Sequence, residues 1–320
     1  MIEEYPLITI AMTCYNAQGT IESAIQSAID QDYPNFEIII YDDYSTDQSV
    51  QVIQETIKGH LNIHFIKGTE NLGVAAARNK IIEAAKGDFI VMFDDDDYSY
   101  PQRVRTQYNK IIQYEEAHQT ASIACWCSGV KKYDNGYDVA FQAIGSQDQA
   151  PVGKDVIQYQ LYMDRNPNVF FGSGTPSCSM MVRKAVIAEV GGFDPSMRRI
   201  EDTDLVIRLA QKGTHFIGCS EKLVIQRATA GFDKRPEIAY ESEITLINKY
   251  KNLFDVPARH SFATDWALLR FYHFKGQKFK ALMMVIKLFI KHPIWMWQKF
   301  WRIVPQRFSH EKKMRGAFET

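Results

Sequence analysis

The sequence predicts an α/β protein: a doubly wound, mostly parallel sheet with helices on both faces, followed by a helical C-terminal tail. Three observations carry this. Through residue 93, short apolar runs alternate with single amphipathic helices, the rhythm of a parallel sheet joined by crossover helices. The run Phe89-Ile90-Val91-Met92-Phe93 is uninterrupted, as in a strand buried on both faces. Four carboxylates, Asp94 to Asp97, follow it directly, at the strand end where such sheets bind their ligands.

The first strand is expected over Leu7 to Met12, ending in Thr13-Cys14-Tyr15-Asn16. Ile21, Ala24, Ile25, Ala28 and Ile29 then recur at helical spacing and stop before Tyr33-Pro34. Phe36 to Tyr41 reads as a second strand, running into Asp42-Asp43-Tyr44-Ser45-Thr46-Asp47, with a helix through Val50, Val52, Ile53 and Ile57 behind it. A third strand spans Leu61 to Ile66, and Asn71-Leu72-Gly73 turns into a helix from Val74 to about Lys86. Polar clusters therefore follow residues 12, 41 and 93, and in a parallel sheet those ends open on one edge. Beyond Pro101 a helix is expected over Gln102 to His118, then strands over Ala121 to Val130 and Ser179 to Arg183. Residues 131–175, rich in Gly, Asp, Asn and Gln, read as specificity loops. Gly191-Gly192-Phe193-Asp194-Pro195 is a turn, and Arg199-Ile200-Glu201-Asp202-Thr203-Asp204 opens a helix.

Four adjacent negative charges repel, and a fold tolerates that best with a cation among them. Oxygen ligands favour Mg2+ or Mn2+; a solvated acidic loop is the alternative. Acidic residues in a first helical turn, such as Glu201 and Asp202, are ordinary capping chemistry when taken alone.

With 320 residues, 46% of them hydrophobic, the chain can bury a substantial core. Its net charge of −1 hides an asymmetry: residues 270–320 carry twelve Lys/Arg against Glu311 and Glu319, and the remainder 25 basic against 36 acidic residues. The five scattered cysteines read as reduced thiols, which suits the cytosol. Met1-Ile2-Glu3-Glu4 opens no secretory signal, and no stretch of eighteen uncharged apolar residues predicts a spanning helix. In the tail, Trp295, Trp297, Trp301, Phe289 and Phe300 alternate with lysines, a composition suited to an anionic membrane surface. The alternative is a tail packed onto the enzyme or a second subunit, with lysines at the rim. Nucleic acid is not expected as a partner, because no recognition module accompanies the basic residues.

Five motifs stand in register: Thr13-Cys14-Tyr15-Asn16; Asp42-Asp43 with Ser45 and Asp47; Asn71-Leu72-Gly73 with Ala77-Arg78-Asn79; Asp94 with Asp96-Asp97; and Gly191-Gly192-Phe193-Asp194 with Glu201-Asp202. In this order the sequence resembles glycosyltransferase family 2, over residues 5 to about 230. The resemblance implies the GT-A fold and transfer of a sugar from a nucleotide diphosphate with inversion. The chain is accordingly read as a catalytic domain over 1–255, with a nucleotide-binding half to about residue 100 and an acceptor-binding half beyond, and a basic, aromatic-rich helical extension over 256–320 that the resemblance does not cover. Carried over residue by residue, Asp94 and Asp96 are the D-x-D, with Asp96 the foremost metal ligand. Asp97 orients the donor sugar or the metal shell, and Asp95 points away. Arg78 lies near the nucleotide phosphates, Thr13 and Tyr15 line the nucleotide slot, and Asp43 reads uracil, so the donor is a UDP-sugar. Asp202 is the general base, and Glu201 orients it or structures the helix start.

Two departures stand out. The family's metal-associated His is absent from Val224-Ile225-Gln226-Arg227-Ala228-Thr229, where Arg227 could assist the diphosphate. Lys80 replaces a customary Gly. The missing His motivates a competing reading, a catalytically silent sugar-nucleotide binder or scaffold of a polysaccharide-assembly complex. A Rossmann dehydrogenase fails for want of Gly-x-Gly-x-x-Gly after the first strand, and a nucleotidyltransferase for want of a basic phosphate loop. The expected acceptor is a glycan or lipid-linked sugar in bacterial surface polysaccharide synthesis, at the cytoplasmic face of the membrane. Homo-oligomerisation is left open.

Overall fold

The structure, a computed structural model, describes residues 5–147, 149–228 and 235–316. The chain divides into two compact units. One comprises residues up to 131 with 139–160 and 164–227; the other comprises 132–138, 161–163 and the chain from 228 onward.

The first unit opens as the sequence predicts. Strands β1 (Ile8–Cys14), β2 (Phe36–Asp42), β3 (Ile63–Lys67) and β4 (Phe89–Asp94) alternate with helices α1 (Ile21–Ile29), α2 (Ser49–Thr56) and α3 (Val74–Ala84). All pairings among these four strands are parallel, in the order β3-β2-β1-β4. The sheet continues through β8 (Met180–Arg183), β6 (Ile123–Lys132), β9 (His215–Arg227) and the short β5 (Tyr98–Ser99), with β7 (Asp138–Phe141) pairing β6. Here the direction changes: β8 runs antiparallel to both β4 and β6.

Alternation along the strands builds a separate core on each face of the sheet. Ile10, Met12, Ile38, Ile40, Phe89, Val91 and Phe93 pack with Ile21 and Ile25 of α1, and with Val104 and Ile111 of α4 (Arg103–His118). Ala11, Ile39, Tyr41, Ile90 and Met92 face the other way, onto Ala77 and Ile81 of α3 and onto Leu205, Val206 and Leu209 of α7 (Glu201–Gln211). Between β8 and α7 lies the short α6 (Lys184–Glu189). Helices on both faces thus account for apolar runs with no polar alternation.

Three elements depart from expectation. Within 131–175, read as loops, the structure forms β7 and α5 (Lys154–Tyr162). The long strand β9 carries no continuous apolar signal, because Ser220, Glu221 and Lys222 at its middle are exposed.

The second unit is helical: α8 (Pro236–Lys249), α9 (Pro257–Phe274), α10 (Lys278–Lys291) and α11 (Pro293–Gly316). Phe262, Leu269, Met284, Leu288 and Met296 form its core, with Phe289, Trp295 and Phe300 packed against them. Those three aromatics, expected at the surface, point inward. Among the described residues no helix is long and apolar enough to cross a membrane.

The turn that launches β4 is held by a buried polar knot. The Thr9 hydroxyl donates to Glu37 Oε1 at 2.7 Å, which also accepts the Lys86 and Gly87 N–H groups at 2.6 and 3.2 Å. A Cβ at Gly87 would lie 2.6 Å from Thr9 N and 2.7 Å from its hydroxyl oxygen, closer than the packed backbone allows. Gly87→Ala should therefore cost about 1–3 kcal/mol by overpacking, read as a lower urea midpoint at unchanged m.

Candidate active site

The parallel register assembles the site. Thr13 pairs with Tyr41 on one side and Asp94 on the other, and Cys14 with Asp42, so the three polar strand ends share one edge. The loops beyond are laced together. Tyr15 N–H donates to Asp95 Oδ2 at 2.9 Å, Asn16 N–H to Ser45 Oγ at 2.9 Å, and Thr46 N–H to Asn16 Oδ1 at 2.8 Å. The rings of Tyr15 and Tyr44 stay half exposed at this edge. Asp43 is buried, its two carboxylate oxygens accepting the N–H groups of Leu72 and Gly73 at 2.8 Å each. Burial raises its pKa against the pull of those two donors. Each oxygen keeps a second lone-pair direction, so holding the α3 entry does not exhaust Asp43 as an acceptor.

At the end of β4 the four carboxylates separate. Asp95 turns back onto Tyr15; burial, then Asp96 and Asp94, push its pKa up to about 7. Asp97 is buried, and its Oδ1 accepts Arg227 N–H at 3.0 Å. Its Oδ2 is buried without a well-formed hydrogen bond, with the Cys178 thiol as its polar neighbour. Burial and the neighbouring charges of Asp94 and Asp96 raise the Asp97 pKa to about 8. Asp94, Asp97 and Cys178 bring ligand atoms within 4.8 Å of one another; Asp96 is outside that group. Burial, with Asp97 and Asp94 nearby, pushes the Cys178 thiol well above the ordinary thiol range, so without a cation it stays protonated. A carboxylate pair with an orphaned buried oxygen fits a divalent cation. The segment that lacks the family's His still reaches this corner, through the backbone N–H of Arg227; Thr229 lies outside the described residues.

One arginine pairs with this charge, and a second lies buried behind the strand. Arg78 is buried and donates to Asp94 Oδ1 at 3.1 Å and to Glu201 Oε1 at 2.6 Å. Burial works against its charge, yet Asp94, Glu201 and Asp202 together raise its pKa above the usual guanidinium range. Arg103, fully buried, donates to Met92 O and Ser99 Oγ at 2.8 Å and stacks 4.4 Å over the Phe93 ring.

The next residue of α3 positions the turn before α7. The Asn79 amide exchanges both hydrogen bonds with the Phe193 backbone, each 2.8 Å, and the Arg208 guanidinium donates to Val190 O and Gly192 O at 2.6 Å. Gly192 has φ 72°, and a Cβ there would meet Asn79 Oδ1 at 2.5 Å, so only glycine fits. Ile200 enters α7 at φ 56°, an uncommon conformation for a β-branched residue. It leads directly to Glu201, held by Arg78, and to Asp202. The part-buried Asp202 accepts Thr203 N–H at 2.7 Å. Burial and the Glu201 charge raise its pKa to about 7, opposed by Thr203 and Arg78.

Arg78, Asp94, Asp97, Glu201 and Asp202 are thus drawn into one region, with Thr13, Tyr15 and Asp43 along the adjoining edge. Arg78 spends two of its donors on carboxylates rather than standing free for phosphate. Sequence reasoning missed Cys178, Arg103, Tyr44 and the Arg227 N–H. A backbone donor leaves no signal in a side-chain pattern, and the antiparallel placement of β8 that brings Cys178 to Asp97 has none either.

Residues 9–189 match the family described as glycosyl transferase family 2. The chain belongs to glycosyltransferase family 2. It is 38% identical over 108 residues to an uncharacterised glycosyltransferase of Haemophilus influenzae, covering 34% of this chain and 43% of that one. It is 40% identical over 101 residues to an Escherichia coli enzyme, UDP-Glc:alpha-D-GlcNAc-diphosphoundecaprenol beta-1,3-glucosyltransferase WfaP, covering 32% of this chain and 39% of that one. These matches span about two fifths of each relative's length. The crystal structure of S. aureus TarS 1–349 with UDP-GlcNAc superposes with a TM-score of 0.58 at 21% identity, over 83% of this chain and 73% of that one, which shows the GT-A fold.

Removing the Arg78 guanidinium leaves two carboxylates without their shared cation. The Asp94 side chain is 27% exposed and partly solvent-screened, so Arg78→Ala should cost about 3 kcal/mol, the low end for a broken buried pair. Arg78→Lys keeps the charge without the two-pronged geometry and should recover part of that loss in urea unfolding.

Proposed function

We propose that the protein is an inverting glycosyltransferase that moves a sugar from a UDP-sugar to a hydroxyl of a glycan or lipid-linked acceptor. The observation that carries this is the placement of Asp202 at the start of α7, next to Glu201, which Arg78 ties to the acidic corner at the end of β4. A binder or scaffold has no use for a base there. The uridine assignment is supported by Asp43 at the edge of the nucleotide slot and by two relatives, one named for UDP-Glc and one crystallised with UDP-GlcNAc.

In this reading the nucleotide lies along the ends of β1 and β2. Thr13 and Tyr15 line its slot, and Asp43 accepts the uracil N3–H. Asp94 and Asp97 would hold Mg2+ or Mn2+; the geometry favours Asp97 over Asp96 as the second holder, because Asp97 joins Asp94 in one cluster and carries the orphaned oxygen. Bound there, the cation supplies Lewis-acid stabilisation of the departing diphosphate. Arg78, held on Asp94, adds its fixed positive charge beside the same developing charge. Asp202 removes the proton from the acceptor hydroxyl as it attacks the anomeric carbon, and the bond to the diphosphate oxygen breaks on the opposite side.

Nucleotide release from a panel of UDP-, GDP- and dTDP-sugars tests the reading, and release from the UDP-sugars alone is expected. Tight UDP binding with no release from any sugar, across acceptors, would favour the silent binder. Asp202→Asn should lower turnover by roughly 10²–10⁴ while UDP binding in calorimetry is retained. A base acts only when deprotonated, so with a pKa near 7 the wild-type kcat/KM should fall as pH drops below about 7. That limb should vanish in the residual activity of Asp202→Asn.

A further inference from the structure

The helical unit leaves two apolar stripes uncovered. On α10, Phe279, Leu282, Met283, Ile286 and Ile290 recur at helical spacing and are all exposed, Phe279 by 75% and Ile290 by 78%. The opposite side of the same helix sends Met284 and Leu288 into the unit's core, so α10 is apolar on both its inner and outer faces. On α11, Ile294, Trp297 and Trp301 repeat the pattern at i, i+3 and i+7, opposite the buried Met296 and Lys299. Single exposed apolar residues are ordinary, but contiguous rows mark a contact surface.

The charge pattern says what covers them. Between Asp265 and Glu311 the sequence holds no acidic residue and nine basic ones. At 100° per residue, Lys280, Lys287 and Lys291 line one edge of the α10 stripe and Lys278 the other, and all four are exposed. Lys287 and Lys291 pair with Asp265 at 2.8 and 3.3 Å, which offsets part of their charge, while their side chains stay about half exposed. A second copy of this surface would bring lysine edge against lysine edge, which disfavours self-association. An anionic lipid surface complements both features: headgroups meet the lysines while aliphatic and indole side chains enter the acyl boundary.

We propose that the α10 and α11 stripes dock the protein on an anionic lipid monolayer. The helices lie in the interface with Ile290, Ile294, Trp297 and Trp301 immersed, while Phe289, Trp295 and Phe300 stay in the core. The inference is independent of the glycosyl-transfer reading, since vesicle binding needs no turnover.

The test uses the full-length chain with phosphatidylcholine–phosphatidylglycerol vesicles and with pure phosphatidylcholine vesicles. Co-sedimentation should favour the mixed vesicles at least tenfold and weaken with added salt. Indole fluorescence should become accessible to a quencher carried on the acyl chains. The surface variant Ile290→Glu/Trp297→Glu alters two exposed positions, so its circular dichroism and nucleotide release should match wild type while vesicle binding is lost. Equal binding to both vesicle types, binding unchanged in the double variant, or a dimer in sedimentation that the variant dissolves would each overturn the proposal, the last in favour of a second copy.

Discussion

Everything near the site depends on keeping four consecutive carboxylates folded at the end of one buried strand. At an effective dielectric near 20, two charges 4 Å apart still interact by about 4 kcal/mol, so four in a row need countercharge or dispersal. The protein uses both. Asp95 is turned away onto the Tyr15 N–H, Asp97 is tucked onto the Arg227 N–H, and Asp94 is clamped by Arg78. Arg103 lies buried on the α4 side, donating to the carbonyl of Met92 two residues before the run begins.

The same clamp joins the end of β4 to the start of α7. One helix, α3, supplies Arg78 to the start of α7 and Asn79 to the turn before it. Glu201 is thereby spent on holding Arg78, and its residual charge, together with burial, lifts Asp202 toward neutrality. The two acidic residues of one helix start thus sit in different surroundings, Glu201 on Arg78 and Asp202 on the Thr203 N–H. A capping account of the pair does not require a buried arginine from another helix; this arrangement does.

Much of the fold was legible because parallel sheets write themselves plainly. A strand covered on both faces must be apolar throughout, and a crossover helix must carry a 3.6-residue period, so the first four strands and three helices fall close to their expected places. The reading weakened where the sheet changes direction. An antiparallel strand with a solvated middle, such as β9, and a single helix such as α5 within a polar stretch lack that continuous signal. The tail illustrates the same limit. Its aromatics and lysines were visible, yet which aromatics face outward depends on the phase of each helix against its core: Trp297 and Trp301 lie outside, Trp295 and Phe300 inside.

The sequence by itself determined the parallel half of the sheet, the family and most of the residues gathered at the site, because period, apolar run length and motif spacing are local properties of the chain. Only the tertiary structure decided which of those residues touch one another. It committed Arg78 to Asp94 and Glu201, grouped Asp97 rather than Asp96 with Asp94, and brought Cys178 and the Arg227 backbone to the same corner. Such partnerships join positions as far apart as Arg78 and Glu201, or Asp97 and Arg227, and they are set by which strand neighbours which in the sheet, an order that no local pattern encodes.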